Sequence, residues 1–331
     1  MITGNKVRLQ TALRWLNRFG QAGRQTADGR PITDPAQLAR LQISPGGWPV
    51  SRDALYAQML ARLAGKTEPN QVETSYCGPA AFLYCLLEDR PDLYVAYVKA
   101  LWSGRIFQFA SGSDHMELEA SGGAIKSLAV LDRVKGAARA RNISDLDWMT
   151  MSSLSASTRP ASGLWGAPKP GDQAGSISYP WVVRQWFAAV GSRPLADTMS
   201  MGITKKPLAD FLKVARFWSS CWIVLQIDSS LLSGGGTNTF TQRHWVVMDP
   251  HHAPLVRMGA AGKVVQLGDL PGKIGEKLDD LDGSDQERVM RSWVTNLRLV
   301  SWGKENYAMA TQTLGHLEGR LYGAFAFPRF R

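Results

Sequence analysis

The stretch "NQVETSYCGPAAFLYCLLEDR", residues 70–90, passes from an irregular segment into a helix at a cysteine. Cys77 is followed by Gly78 and Pro79, and proline is favoured in the first turn of a helix because no backbone N–H is needed there. The residues that follow are mostly apolar and contain no helix breaker up to about Leu87. The pattern therefore predicts a buried helix with Cys77 at its N-terminus.

Cys77 is a candidate nucleophile because of this position. A cysteine attacks a carbonyl as the thiolate, and an ordinary thiol is mostly protonated at neutral pH. The positive end of a helix lowers the pKa of a thiol, and a nearby imidazolium does the same. The alternative is a small buried residue, which is the simplest interpretation of Cys85 in the same helix.

Helix patterns come first along the chain and strand patterns come later. Ser51 caps a helix that Gly65 ends, and another helix follows Pro91. Two more helix patterns are "YPWVVRQWFAAVG" and "KPLADFLKVARFW". The strand patterns are "CWIVLQID", "HWVVMD", "GKVVQLGDLPG", "SWVTNLRLVSWG" and, as an edge strand, the tail "RLYGAFAFPRF". This order predicts an α+β protein rather than alternating βαβ units.

Charge, cysteine usage and hydropathy exclude several classes of protein. The net charge of +10 favours an anionic partner, or else basic residues spread over the surface, because no block of five Lys or Arg occurs. Three cysteines without zinc-site spacing predict reduced thiols and no metal site. The N-terminus forms a basic amphipathic pattern and lacks a secretory h-region. The sequence contains no run of 18 apolar residues, so it predicts no transmembrane segment.

Gln71 lies six residues before Cys77. This spacing resembles the motif of the papain-like cysteine peptidases, in which a glutamine precedes the nucleophilic cysteine of the central helix. The form "CGPAA" is most similar to the branch related to bacterial double-glycine peptidases and papain-like bacterial effectors. The resemblance implies that the Gln71 amide and the Cys77 backbone N–H form an oxyanion hole, a role that suits an amide donor. A solvent-exposed loop residue is the alternative for Gln71.

His244 is the candidate general base among five histidines. It begins "HWVVMD", directly after a Gly-rich connector, so that the apolar residues behind it can anchor it at the mouth of a buried strand. The resemblance implies the same position, at the start of a strand that follows the cysteine in sequence. A structural histidine is the alternative. The other histidines are His115, His251, His252 and His316.

The residue that orients the imidazole is left open. In "VSWG", residues 300–303, Val300 stands where the resemblance expects an asparagine, and a valine cannot accept the imidazole N–H. Ser301 could accept it, although it shares its alternation face with apolar leucines. Asp249 follows His244 by five residues, which is roughly 16–17 Å and the opposite face in an extended strand. Trp302 is expected to pack near the histidine strand and screen it from water.

The resemblance implies an α+β, papain-like fold. In it, a helical N-terminal part with the nucleophile at a helix N-terminus packs on a mainly antiparallel sheet from the C-terminal part. We expect a helical N-terminal extension at residues 1–65 and a papain-like catalytic domain at residues 66–331. A Ser/Gly/Pro-rich insertion at about 110–178 interrupts this domain, and its second half, "SSLSASTRPASGLWGAPKPGDQAGS", is predicted to be a long loop.

The implied function is that of a cysteine peptidase, which forms a thioester intermediate and needs no metal or organic cofactor. The resemblance further implies a bacterial effector or toxin with a protein or peptide substrate, a cognate immunity or inhibitor protein, and no requirement for nucleic acid. Such a protein would be cytoplasmic in the producing cell and be delivered by a route that needs no signal peptide. Two alternatives stay open: a papain-fold deamidase, transglutaminase or amidase, and a non-catalytic basic interaction module.

Overall fold

The computed structural model of the protein describes residues 6–72, 74–109, 116–119, 125, 143–158, 178–199, 204–233, 243–258, 263–270, 283–301, 304–308 and 312–331. The chain divides into two compact units. The first comprises Met1–Ser178, Gln185–Gly191 and Phe330–Arg331, and the second comprises Tyr179–Arg184 and Ser192–Arg329. The predicted boundary at residue 65 falls inside the first unit and stays a prediction.

The first unit is mainly helical. Its helices are α1 (Lys6–Gln21), α2 (Pro35–Gln42), α3 (Arg52–Leu63), α4 (Cys77–Asp89), α5 (Pro91–Trp102) and α6 (Asp145–Ser157). Two short strands, β1 (Phe107–Phe109) and β2 (Met116–Leu118), pair antiparallel. Helix α7 (Pro180–Ala189) begins in a segment of the second unit and ends in a segment of the first. Within the first unit, α1 packs against α3 and α5.

The predicted start and stop signals of the early helices are confirmed. The Ser51 hydroxyl accepts a hydrogen bond from the Ala54 N–H at 3.2 Å, which caps α3. Gly65, just beyond that helix, adopts a φ of 66°, a conformation that glycine reaches without steric cost. Pro91 stands in the first turn of α5, as expected.

Helix α6 is not among the helices that the sequence patterns predict. Its last six residues, "SSLSAS", begin the stretch that is predicted to be a long loop. That assignment is wrong for these residues. Every residue from Leu146 to Ser155 is buried, so no polar face marks the segment as an amphipathic helix. Ser144 caps the helix by accepting from the Asp147 N–H at 3.0 Å. Burial against other elements overrides the low helix propensity of serine here.

The second unit contains two antiparallel sheets. The larger has the order β10-β9-β5-β4-β12-β3 and the smaller β11-β8-β6-β7. The strands are β3 (Ala196–Asp197), β4 (Cys221–Asp228), β5 (Arg243–Met248), β6 (Leu255–Arg257), β7 (Val264–Gln266), β8 (Val294–Asn296), β9 (Arg298–Ser301), β10 (Lys304–Ala308), β11 (Gln312–Thr313) and β12 (Leu321–Pro328). The helices are α8 (Leu208–Ala215), α9 (Ser230–Ser233), α10 (Gly283–Ser292) and α11 (Leu314–Glu318), with a 3-10 turn at Leu267–Asp269.

Two strand predictions need correction. The segment "SWVTNLRLVSWG" was predicted to be one strand, but it forms β8 in the smaller sheet and β9 in the larger, with Leu297 between them. The C-terminal tail was predicted to be an edge strand, but β12 lies between β4 and β3. Residue pattern indicates extended backbone, whereas the choice of partner depends on long-range packing.

The α+β class with antiparallel sheets is confirmed. Among the described helices, none is long and apolar enough to cross a membrane. His115, Trp302, the Gly-rich connector before β5 and most of the predicted insertion lie outside the described residues.

Candidate active site

Cys77 is the first residue of α4. The Ala80 N–H donates to the Tyr76 carbonyl at 2.9 Å, which begins the helix at the cysteine. The first turn holds no acidic side chain, so no neighbouring carboxylate offsets the positive end of the helix. Cys77 is 8% exposed, whereas Cys85, deeper in the same helix, is fully buried. The positive end of the helix therefore favours a thiolate at Cys77 more than the buried interior does at Cys85.

Gly78 allows close packing at the start of this helix. A Cβ built on Gly78 would lie 2.5 Å from the Ser178 Cβ, nearer still to its hydroxyl, and 3.4 Å from the Trp186 ring. The serine is 4% exposed, so it has little room to retreat. Ser178 is thus a neighbour of the start of α4 that the sequence did not reveal. Gly78 in the sequence indicates that another group packs closely at this position, but it does not identify that group as Ser178.

Gln71 is buried, not a solvent-exposed loop residue. It is 4% exposed, and its side-chain Oε1 has no hydrogen-bond partner among the described residues. Leaving a buried acceptor unpaired costs about 1–3 kcal/mol, and such groups are uncommon outside functional or strained regions. The amide of Gln71 is therefore held away from bulk water, as a preorganised donor requires.

The turn that carries Gln71 is strained. Val72 has a φ of 52°, in the left-handed region that β-branched residues rarely enter. The Asn70 side chain holds this conformation by accepting from the Val72 N–H at 2.8 Å. Thr74 donates to the Gln71 carbonyl from its N–H at 3.0 Å and from its hydroxyl at 2.7 Å. These bonds fix the backbone on both sides of the Gln71 side chain.

A buried ion pair anchors the chain just before this turn. Arg62 on α3 donates two hydrogen bonds to Asp147 on α6, at 2.9 and 3.0 Å, and both side chains are almost fully buried. Arg62 also donates to the Thr67 hydroxyl at 3.1 Å, and Asp147 accepts from the Asn70 backbone. The pair thereby connects two helices to residues 67–70. Sequence reasoning missed both residues because only the fold brings them together.

His244 is the second residue of β5, which pairs with β4 on one side and β9 on the other. It lies opposite Ile227, whose side chain belongs to the core of the second unit. His244 is 5% exposed, and burial lowers the pKa of its imidazole to about 4. The ring is therefore neutral at neutral pH, and its burial disfavours the protonated form.

Ser301 contacts the imidazole. A hydrogen bond of 2.6 Å joins His244 Nε2 and Ser301 Oγ. Val247 pairs with Val300, so Ser301 falls opposite Val246 and diagonal to His244 on the same face of the sheet. Val300, which stands where the resemblance expects an asparagine, points to the other face of the sheet. Its side chain therefore does not meet His244. Ser301 lies on the core face with Leu299 and touches the ring from there.

Asp249, the other candidate orienter, is engaged elsewhere. One of its carboxylate oxygens accepts from the His251 backbone N–H at 2.8 Å, and the other is 2.8 Å from His252 Nδ1. Its backbone N–H donates to the Arg298 carbonyl at 2.9 Å. Asp249 therefore holds the turn after β5, while Ser301 holds His244.

Comparisons with family models, curated proteins and solved structures find no match for this chain. Cys77 and Gln71 belong to the first unit, and His244 and Ser301 belong to the second. Among the described residues, no group of three or more His, Cys, Asp or Glu side chains is arranged to hold a metal ion. The assignment of roles to these side chains therefore rests on their local geometry and chemistry.

Replacing Gly78 by alanine tests the packing at the start of α4. The added methyl group meets Ser178, and we expect Gly78→Ala to lower the free energy of unfolding by about 1–3 kcal/mol. Ser178→Gly in the same chain removes the obstacle and should recover most of the loss. Urea unfolding of the two single variants and the double variant measures the coupling. Additive single effects would contradict the proposed contact.

The buried imidazole predicts a specific acid sensitivity. As pH falls from 6.5 towards 4, His244 becomes protonated in the unfolded chain but stays neutral in the folded protein, because its pKa there is about 4. This linkage should remove about 3 kcal/mol of stability across that window. Urea unfolding of His244→Asn from pH 7 to pH 4 should lack this loss, whereas a control variant at exposed His251 should keep it. Parallel curves for wild type and His244→Asn would show that the imidazole is not buried.

Proposed function

We propose that the chain is a cysteine-dependent acyl-transfer enzyme, and specifically a peptidase with a papain-like fold. The observation that carries the proposal is Cys77 at the first residue of a buried helix without an acidic side chain in its first turn. The burial of Gln71 and the hydrogen bond between His244 and Ser301 support it. Each of these features serves a separate part of one reaction.

Cys77 is the nucleophile in this proposal. Its sulfur attacks the peptide carbonyl, and the thiol proton passes to His244. Collapse of the tetrahedral intermediate breaks the C–N bond, and the imidazolium protonates the leaving amine. A thioester remains on Cys77. Water then attacks this thioester with His244 again as base, which releases the carboxylic acid and restores the thiol.

Gln71 and the backbone N–H of Cys77 stabilise the oxyanion in this proposal. A single donor aimed at the developing charge contributes about 3–4 kcal/mol in other acyl-transfer enzymes. Such a donor is effective only if it is held in place before the reaction. The hydrogen bonds of Asn70 and Thr74 around the strained Val72 supply this rigidity.

Ser301 sets the tautomer of His244. If Nε2 carries the hydrogen and donates to the Ser301 hydroxyl, Nδ1 presents a lone pair to accept the thiol proton. Burial keeps the ring unprotonated at neutral pH, although the same burial lowers its basicity. Ser301 thus takes the orienting role that an asparagine or aspartate has in other cysteine enzymes.

The biological setting is part of the proposal and rests on the resemblance of residues 70–90 to papain-like bacterial effectors. In this setting the protein acts on a protein or peptide of a target cell, and a cognate immunity protein protects the producer. Deamidation, transglutamination or amide hydrolysis would use the same first step with a different acceptor. A non-catalytic module would use none of it.

Replacing Cys77 tests the nucleophile. We expect Cys77→Ala to abolish hydrolysis of p-nitrophenyl acetate, a general acyl donor, and to remove the alkylation site that iodoacetamide finds in the folded protein. Cys85→Ala is the matched control on the same helix and should retain both, because that thiol is fully buried. Circular dichroism checks that both variants fold. If the folded Cys77→Ala variant keeps its esterase rate, the proposal is wrong.

Mass spectrometry of a proteome treated with wild type or Cys77→Ala identifies the reaction. New peptide N-termini that depend on Cys77 are the expected result for a peptidase. Unit mass increases at Gln or Asn would assign a deamidase instead, and crosslinked peptides would assign a transglutaminase. No change of any kind would contradict the enzymatic proposal.

Removing the Ser301 hydroxyl tests its orienting role. We expect Ser301→Ala to lower kcat/KM about three- to tenfold, the usual effect of losing one neutral hydrogen bond. Ser301→Thr keeps a hydroxyl on the same atom position and should retain more activity than alanine. The pH profile of kcat/KM should shift with Ser301→Ala, because the hydrogen bond to the base is lost. An unchanged profile and rate would leave Ser301 a packing residue.

A further inference from the structure

The second unit carries an open cleft of about 460 Å³. Four of its lining side chains are charged, namely Lys205, Lys206, Arg291 and Glu318. The remaining lining residues are Pro207, Gly315 in α11 and Gly319 just after it, and the two glycines add no side chain to the lining. Its volume falls within the range of small-molecule sites, roughly 300–1,000 Å³. The three cations and one acid give the cleft a net positive charge.

Glu318 does not neutralise the lysines. Its Oε2 accepts from Arg291 Nε at 2.7 Å, and its Oε1 accepts from the Leu208 backbone N–H at 3.0 Å. Burial acts to raise the pKa of Glu318, but the hydrogen bonds from Arg291 and Leu208 lower it overall. The carboxylate is therefore ionised with both oxygens engaged. It caps the start of α8 and is already paired.

Lys205 and Lys206 have no acidic partner in the part of the chain that the structure describes. The nearest acid along the chain, Asp210, is bound by Lys213 at 2.9 Å. The backbone beneath the two lysines is fixed, because the Lys206 N–H donates to the Leu321 carbonyl at 2.8 Å and Pro207 leads directly into α8. The backbone thus places both lysines in the lining of the cleft, and neither has an acidic partner among the described residues.

We propose that this cleft binds a small phosphate-type dianion, either inorganic phosphate or the phosphate of a small ester. Two ammonium groups supply six N–H donors and two charges to one compact anion, which suits phosphate oxygens. The proposal does not depend on the acyl-transfer activity, since it uses different residues.

The test is isothermal titration of the full chain with inorganic phosphate at low salt. We expect saturable binding at one site that weakens as salt is added. Lys205→Gln/Lys206→Gln should weaken binding by about tenfold or more, because two charged donors are lost. Lys66→Gln/Lys263→Gln removes the same charge from exposed positions elsewhere and should bind within about twofold of wild type. Equal loss in both variants, or no saturation in wild type, would overturn the proposal.

Competing anions identify the source of the phosphate. Methyl phosphate binding as tightly as inorganic phosphate shows that the site accepts an ester, and weaker binding of the ester assigns the inorganic ion. Citrate carries at least as much negative charge, on carboxylates. If citrate binds as tightly as inorganic phosphate, the cleft does not select phosphate and the proposal fails. Circular dichroism of the two double variants excludes unfolding as the cause of lost binding.

Discussion

The register of β5 between β4 and β9 is the constraint on which the histidine site depends. Because side chains alternate along a strand, the pairing of Val247 with Val300 determines which residue of β9 can meet His244. It brings Ser301 to the ring and turns Val300 to the other face. A shift of one residue would exchange these two and turn every side chain of β9 to the opposite face. Since both faces of these strands are buried, the packing that sets the register also sets which residue meets His244.

A different kind of constraint holds the segment before Cys77. The chain between α3 and α4 has few apolar residues, and polar contacts fix it instead. The buried pair of Arg62 and Asp147 secures its beginning, and the Asn70 side chain holds Val72 in an unfavourable conformation. Buried ion pairs add little net stability compared with apolar residues of similar volume, but losing one partner is costly. Such a cluster is suited to fix the position of a loop that cannot be fixed by hydrophobic burial.

Local sequence signals identified the elements with strong caps and clear apolar patterns. Ser51, Gly65 and Pro91 marked helix boundaries that the structure confirms, and the runs in β4 and β5 were recognised as buried strands. Helix α6 was missed because it is buried on all sides and rich in serine. The partners of β8, β9 and β12 could not be predicted either, since the choice of partner strand depends on packing between residues far apart in the chain.

The sequence by itself determined the helix that begins at Cys77, the strand that carries His244 and the presence of Gln71 six residues before the cysteine, because each follows from short-range pattern. The tertiary structure decided what surrounds these groups. In the folded protein Gln71 is buried within a strained turn, and Ser178 packs against Gly78. Asp249 contacts His252, whereas Ser301 forms a hydrogen bond with His244. These contacts join residues that are far apart in the chain, or depend on a backbone bend, and both are products of packing that no local pattern encodes.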